Sequence, residues 1–179
     1  MKKICVYCGS SDGTRPEYRQ AAADLGRAMV EKNMGLVYGG AGVGLMGTLA
    51  DTVLSGGGRV TGVIPESLVN REISHPGLTE LVVVDSMHER KSMMADLSDA
   101  FIALPGGIGT MDELFEILTW AHLGIHKKPC ALLNMVGYYD HLNAFVQHGV
   151  DQGFIRKETA AKLIIQDDPE SLLDLFMKS

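Results

Sequence analysis

Three stretches of this 179-residue chain combine glycine with groups able to bind or cleave a phosphorylated small molecule. The most informative is Pro105-Gly106-Gly107-Ile108-Gly109-Thr110, which runs directly into a helix-patterned segment. Glycine removes the Cβ that would hold a ligand away from the backbone. A helix that follows aims unpaired N–H groups and a partial positive charge at the same point. Such a loop suits an anion, and a phosphate best. It lacks the Gly-Lys-Ser/Thr ending of an ATP-binding P-loop, so a mononucleotide or sugar phosphate fits better than a triphosphate. Thr110-Met111-Asp112-Glu113 reads equally well as a capping box, with Thr110 as cap and Glu113 reaching back. Either use puts the Glu113 carboxylate at the helix start, where the local positive potential favours its charged form. Glu113 is therefore suited to a base or an electrostatic stabiliser rather than a general acid.

A second constellation is Ser86-Met87-His88-Glu89-Arg90-Lys91, where Ser86 and Glu89 again have capping-box spacing. Arg90 and Lys91 work against the dipole at a helix start, a cost of roughly 0.3–1 kcal/mol per exposed charge that an anionic ligand would offset. The plain alternative is a solvated basic pair. Gly42-x-Gly44-x-x-Gly47 matches the dinucleotide fingerprint, with Glu66 about 20 residues on. It follows the second strand rather than the first, and no chain length is left for a substrate domain, so glycines serving a tight turn and close packing explain it as well. Ser10 and Ser11 lack a nucleophile-elbow context and read as phosphate or ribose contacts. Cys5-x-x-Cys8 lies in a strand, where residues three apart point to opposite faces, which argues against a redox or zinc pair. His122 and His126 have a zinc-capable spacing without a carboxylate or cysteine nearby, and the ten methionines read as packing.

The elements needed to position these groups alternate along the chain. Apolar runs at 3–7, 36–38, 60–64, 81–84, 101–104 and 130–134 read as strands. Helices are expected over 16–32, 45–54, 87–97, 111–123, 138–152, 157–163 and 169–177. Alternation of this kind predicts an α/β, Rossmann-like three-layer fold with a mainly parallel central sheet flanked by helices, over a single domain spanning 1–179. The strands lack clean polar alternation, so both sheet faces should be covered. In such a sheet ligands bind outside the carboxyl ends of the strands, and the glycine turns at 9–14, 39–44 and 105–110 should crowd that edge.

Composition narrows the function class. Hydrophobic residues make up 46% and charged residues 21% of the chain, which excludes disorder as its organising principle. A net charge of −6 with no long basic run argues against nucleic acid or a membrane surface as partner and leaves a small molecule. The apolar run behind Lys2 and Lys3 is too short for a secretory signal, and no stretch approaches a membrane span. The odd cysteine count, 3, fits a reducing cytoplasm.

Met87-His88-Glu89-Arg90-Lys91 and Pro105-Gly106-Gly107-Ile108-Gly109-Thr110-Met111-Asp112-Glu113 together resemble the paired signature of the LOG (Lonely Guy) family. These are the cytokinin riboside 5′-monophosphate phosphoribohydrolases, long mislabelled lysine decarboxylases. The resemblance runs from Cys8-Gly9-Ser10-Ser11 through Tyr38-Gly39-Gly40 and Gly44-Leu45-Met46-Gly47 to Gly137-Tyr138-Tyr139 and Gly153-Phe154-Ile155. It implies a Rossmann-like homodimer that hydrolyses the N-glycosidic bond of a nucleoside 5′-monophosphate, releasing free base and ribose 5-phosphate, without metal or cofactor. By motif match the catalytic arginine is Arg90 and the catalytic glutamate Glu113. Substrate binding falls on Glu72, Lys91, Gly106, Gly107, Ile108, Gly109, Thr110, Met111, Asp112 and Thr119, with Ser10 joining from its own loop. Ile108 stands where an aromatic is common, Asp112 where Glu is common, and Ala41-Gly42 departs in the second glycine loop; these touch base preference rather than the chemistry. A decarboxylase using pyridoxal phosphate would need a Schiff-base lysine and a cofactor cleft, and no residue marks either. The rival class is a non-catalytic nucleotide-binding or carrier protein using the same phosphate loops.

Overall fold

Short apolar strands separated by helix-length segments suit parallel pairing, because neighbouring parallel strands need a crossover of about a dozen residues or more, most often a helix. A computed structural model describes residues 1–69 and 74–178 and shows this arrangement. Its elements are β1 (Lys3–Tyr7), α1 (Pro16–Glu31), β2 (Gly35–Tyr38), α2 (Gly44–Ser55), β3 (Val60–Pro65), α3 (Glu66–Val69), β4 (Glu80–Val84), α4 (Met87–Asp96), β5 (Ala100–Ala103), α5 (Ile108–Leu123), β6 (Cys130–Leu133), a 3-10 turn (Met135–Gly137), α6 (Asp140–Asp151), α7 (Lys157–Ala160), β7 (Leu163–Gln166) and α8 (Pro169–Lys178). The sheet order is β4-β3-β2-β1-β5-β6-β7, and each neighbouring pair is parallel. Strand order reverses at β1, which has β2 on one side and β5 on the other. That switch point opens a crevice at the carboxyl ends.

Helices pack on both sheet faces. On one, Leu25 and Met29 of α1, Leu49 of α2 and Leu172 and Phe176 of α8 cover Ile4, Val6 and Leu36. On the other, Met94 of α4 and Leu114 and Ile117 of α5 cover Cys5, Val37 and Phe101. Burying each of these large apolar side chains contributes about 1.5–3 kcal/mol. Cys5 and Cys8 belong to opposite cores, as the strand period requires, and both are free thiols.

Several elements differ from the sequence expectation for local reasons. Leu163–Gln166 form a seventh strand that was not expected, and it takes Leu163 from the end of the expected 157–163 helix: β-branched Ile164 and Ile165 pair with Ala131 and Leu132, and only Lys157–Ala160 is helical before them. Helix α6 starts at Asp140, because Val136 and Gly137 take φ of 49° and 72° and the Asn134 side chain accepts from the Tyr139 N–H. Helix α5 starts at Ile108 with Gly107 as its cap, so Thr110 is not the capping residue and Glu113 lies in the second turn. The Ser86 cap does form, accepting from the Glu89 N–H while Glu89 accepts from the Asp85 N–H. Edge strand β4 leaves Leu81 and Val83 exposed, so helices do not cover the whole sheet. Among the described residues no helix is long and apolar enough to cross a membrane.

Candidate active site

The three glycine turns meet as their position after β1, β2 and β5 demands. The Gly9 N–H donates to the Pro105 carbonyl at 3.0 Å, and the Met46 N–H donates to the Gly9 carbonyl at 3.3 Å. Between them and the start of α4 lies a cavity of about 320 Å³, a volume within the range of small-molecule sites, ~300–1,000 Å³.

Arg90 and Glu113 both line this cavity, reaching it from different helices. Arg90, on α4, is only 5% exposed. Its Nη2 donates to the Gly39 carbonyl at 3.0 Å, and its Nη1 lies 3.8 Å from the Met87 sulfur. A Cβ on Gly39 would overlap that Nη2, so the second glycine turn makes room for the guanidinium. Glu113, half-buried on α5, projects its field onto the end of β1. Burial chiefly raises the Cys8 thiol pKa, and Glu113 raises it further. At Cys5 burial dominates as well, while Glu113 raises the pKa and Arg90 lowers it. Both charges thus act on β1, at Cys5.

Ser10, Gly107, Ile108, Gly109, Thr110 and Asp112 also line the cavity. Ile108 is 86% exposed at its mouth. Thr110 is buried, with its hydroxyl packed against Gly106. Four expected substrate contacts sit elsewhere. Gly106 lines a small neighbouring cleft rather than this cavity, and Met111 packs toward the core behind it. Lys91 turns to α5, where its ammonium lies 3.1 Å from both Asp112 and Glu116. Thr119 faces a separate cavity beside Phe115 and Phe154, its hydroxyl donating to the Phe115 carbonyl at 2.7 Å. Glu72 lies outside the described residues.

The structure adds Met46, Leu68 and Met87 as an apolar wall. The two methionines sat inside recognisable motifs, whereas Leu68, on the short α3, carried no sequence signal. It also adds a support behind the loop. The Tyr138 hydroxyl donates to the Gly106 carbonyl and the Tyr139 hydroxyl to the Leu104 carbonyl, each at 2.6 Å.

Two other readings of the sequence can be set against the geometry. His122 and Thr159 are 2.8 Å apart through Nδ1 and Oγ1, and His126 engages the Ile117 carbonyl and the Lys128 N–H, so the pair does not converge. No group of three His, Cys, Asp or Glu able to hold a metal occurs among the described residues. A Schiff-base lysine must lose its proton readily. No lysine lines the cavity walls described above. For neighbouring Lys91, burial works to lower the pKa, and the hydrogen bonds to Glu116 and Asp112 outweigh it, so the pKa is raised. The residues present do not fit pyridoxal phosphate.

A family model described as "Possible lysine decarboxylase" matches residues 46–176. A cytokinin riboside 5′-monophosphate phosphoribohydrolase of Rhodococcoides fascians is 51% identical over 173 residues, covering 96% of this chain and 87% of the relative. One of the same description from Arabidopsis thaliana is 51% identical over 171 residues, covering 96% and 78%. Among solved structures, the molybdenum cofactor carrier protein of Chlamydomonas reinhardtii superposes with a TM-score of 0.74 at 20% identity, covering 99% of both chains. That likeness concerns the fold alone.

Proposed function

The chain belongs to the family of that model and of the cytokinin riboside 5′-monophosphate phosphoribohydrolases, and we propose that it hydrolyses the N-glycosidic bond of a nucleoside 5′-monophosphate, releasing free base and ribose 5-phosphate. The observation that carries this reading is the convergence of buried Arg90 and half-buried Glu113 on one cavity floored by a glycine loop.

Cleavage of an N-glycosidic bond passes through an oxocarbenium-like state with positive charge on the sugar. Glu113, in the second turn of α5, is suited to stabilise that charge or to accept a proton from the attacking water. The 5′-phosphate belongs at the Gly107–Gly109 turn, where the helix start supplies N–H donors. Arg90, held by the Gly39 carbonyl, anchors the nucleotide and converts remote binding energy into alignment of the reacting carbon. Lys91 acts through its clamp on Asp112 and Glu116, which ties α4 to α5 and so fixes Arg90 relative to Glu113. Met46, Leu68 and Met87 offer an apolar wall suited to a planar base, adenine or an N6-modified adenine.

Replacing Glu113→Gln keeps the shape of the side chain and removes its charge. Base release from AMP or from isopentenyladenosine monophosphate, followed by chromatography, should fall by on the order of 10²–10⁴, with Tm close to the parent. A matching loss of Tm would return Glu113 to a structural role. Calorimetric binding of AMP by the parent protein without any product would return the carrier reading.

A second copy of the chain is the other partner. Phe115, Leu118 and Phe154 surround a cavity of about 390 Å³, and Phe154 is 90% exposed. Exposed apolar surface of this kind marks an interaction face. Light scattering should give twice the mass of the chain; the mass of one chain would refute the dimer.

A further inference from the structure

The glycine loop at β5 is oriented from behind by a pair of tyrosines. Tyr138 and Tyr139 follow the tight turn after β6 and reach back to the carbonyls of Gly106 and Leu104. A trans peptide is planar with its C=O and N–H pointing opposite ways, and no cis bond occurs in the described chain. Holding the Gly106 carbonyl on Tyr138 therefore turns the Gly107 N–H to the opposite side. Tyr138 stands with Gly106 in a small cleft of about 210 Å³. Gly107 lines both that cleft and the active cavity, and of these two spaces the active cavity is the one that Tyr138 does not line.

The neighbouring tyrosine makes a natural contrast. Its bond goes to the peptide between Leu104 and Pro105, which has no N–H to aim. Tyr139 is buried, whereas Tyr138 is exposed along part of its ring, so core packing does not account for Tyr138 as it does for Tyr139. The Tyr138 ring is held edge-on by Tyr18 and Tyr139, with centroids 5.6 and 4.9 Å away. The turn that delivers it passes through Val136 at φ 49°, a conformation a β-branched residue rarely adopts. Such outliers persist where the surroundings over-determine them.

We propose that Tyr138 is a positioning residue for the nucleotide 5′-phosphate, its hydroxyl setting the Gly107 N–H toward the anion. The hydrolase reading supplies the identity of the nucleotide, and the test separates the two ideas. Tyr138→Phe keeps the ring and removes the hydroxyl. KM for the nucleoside 5′-monophosphate should rise about three- to tenfold, the effect of one hydrogen bond, with kcat and Tm unchanged. The inhibition constant of ribose 5-phosphate should rise by the same factor, and that of the unphosphorylated nucleoside should stay where it was. Tyr139→Phe should lower Tm and leave the phosphate-dependent constants alone. An unchanged KM in Tyr138→Phe, an equal rise for phosphorylated and unphosphorylated ligands, or a fall in Tm with kcat and KM moving together overturns the proposal. If the parent protein releases no base, calorimetry with ribose 5-phosphate carries the test alone. Weaker binding in Tyr138→Phe but not Tyr139→Phe would uphold the positioning role while the hydrolase reading falls, and equal affinities would overturn it.

Discussion

The glycine turns after β2 and β5 look alike in sequence and do different work. In the turn after β2 the missing side chains are needed by the protein itself. A Cβ on Gly39 would strike the Arg90 guanidinium, one on Gly44 would strike the Ser10–Ser11 backbone, and one on Gly47 would sit 2.5 Å from the Gly42 carbonyl. After β5 only Gly106 is crowded in this way, by Thr110 and Gly9, while Gly107 and Gly109 face no protein atom within 4 Å. Their backbone conformation does not demand glycine either, since neither has a positive φ. That open space lies at the start of a long helix and beside a buried arginine, where the proposed phosphate site would need it. The β2 turn thus needs its glycines for the fold, whereas the β5 turn leaves two of its glycines open, a distinction the sequence fingerprint Gly-x-Gly-x-x-Gly does not make.

Two substitutions would break or sharpen that contrast. Gly44→Ala combines a φ of 61° with overlap against backbone atoms of the β1 loop, and should destabilise the protein by roughly 2–4 kcal/mol, read as a lower denaturation midpoint at unchanged slope. Retention of full stability would mean that the β2 turn is as open as the β5 turn. Gly109→Ala should do the reverse. As the second residue of α5 it gains helix propensity, about 0.5–1 kcal/mol, and Tm should hold or rise slightly. Its new methyl would occupy the phosphate position, and KM should increase on the order of tenfold. An unaltered KM would place the phosphate elsewhere.

Much of the candidate site was legible because its signals are local. At the start of α4, Ser86 and Glu89 stand within one helical turn, and Ser86 accepts from the Glu89 N–H as the spacing predicts, although Glu89 itself reaches the Asp85 N–H rather than that of Ser86. The capping box read at Thr110–Glu113 had the same spacing and did not form. Gly107 opens the helix earlier, once Thr110 is drawn into packing against Gly106. The seventh strand has little local signal: Leu163–Gln166 is four residues long and is defined by its pairing with β6, about 30 residues earlier in the chain. Lys91 read as a substrate contact, since its carboxylate partners stand on another helix, 21 and 25 residues away.

Most of the order of elements, the parallel sheet and the cluster of glycine turns at one edge were determined by the sequence alone, while Arg90 and Glu113 stood out as a pair only through the resemblance of their motifs to a family. Apolar periodicity and turn chemistry act over a few residues and survive without the rest of the molecule. Which glycines are crowded by the fold and which stand open was decided only by the tertiary structure. So were the turning of Lys91 toward α5 and the reach of Tyr138 to a carbonyl 32 residues away. These depend on close approach between segments distant in the chain, and excluded volume between such segments leaves no trace in local spacing.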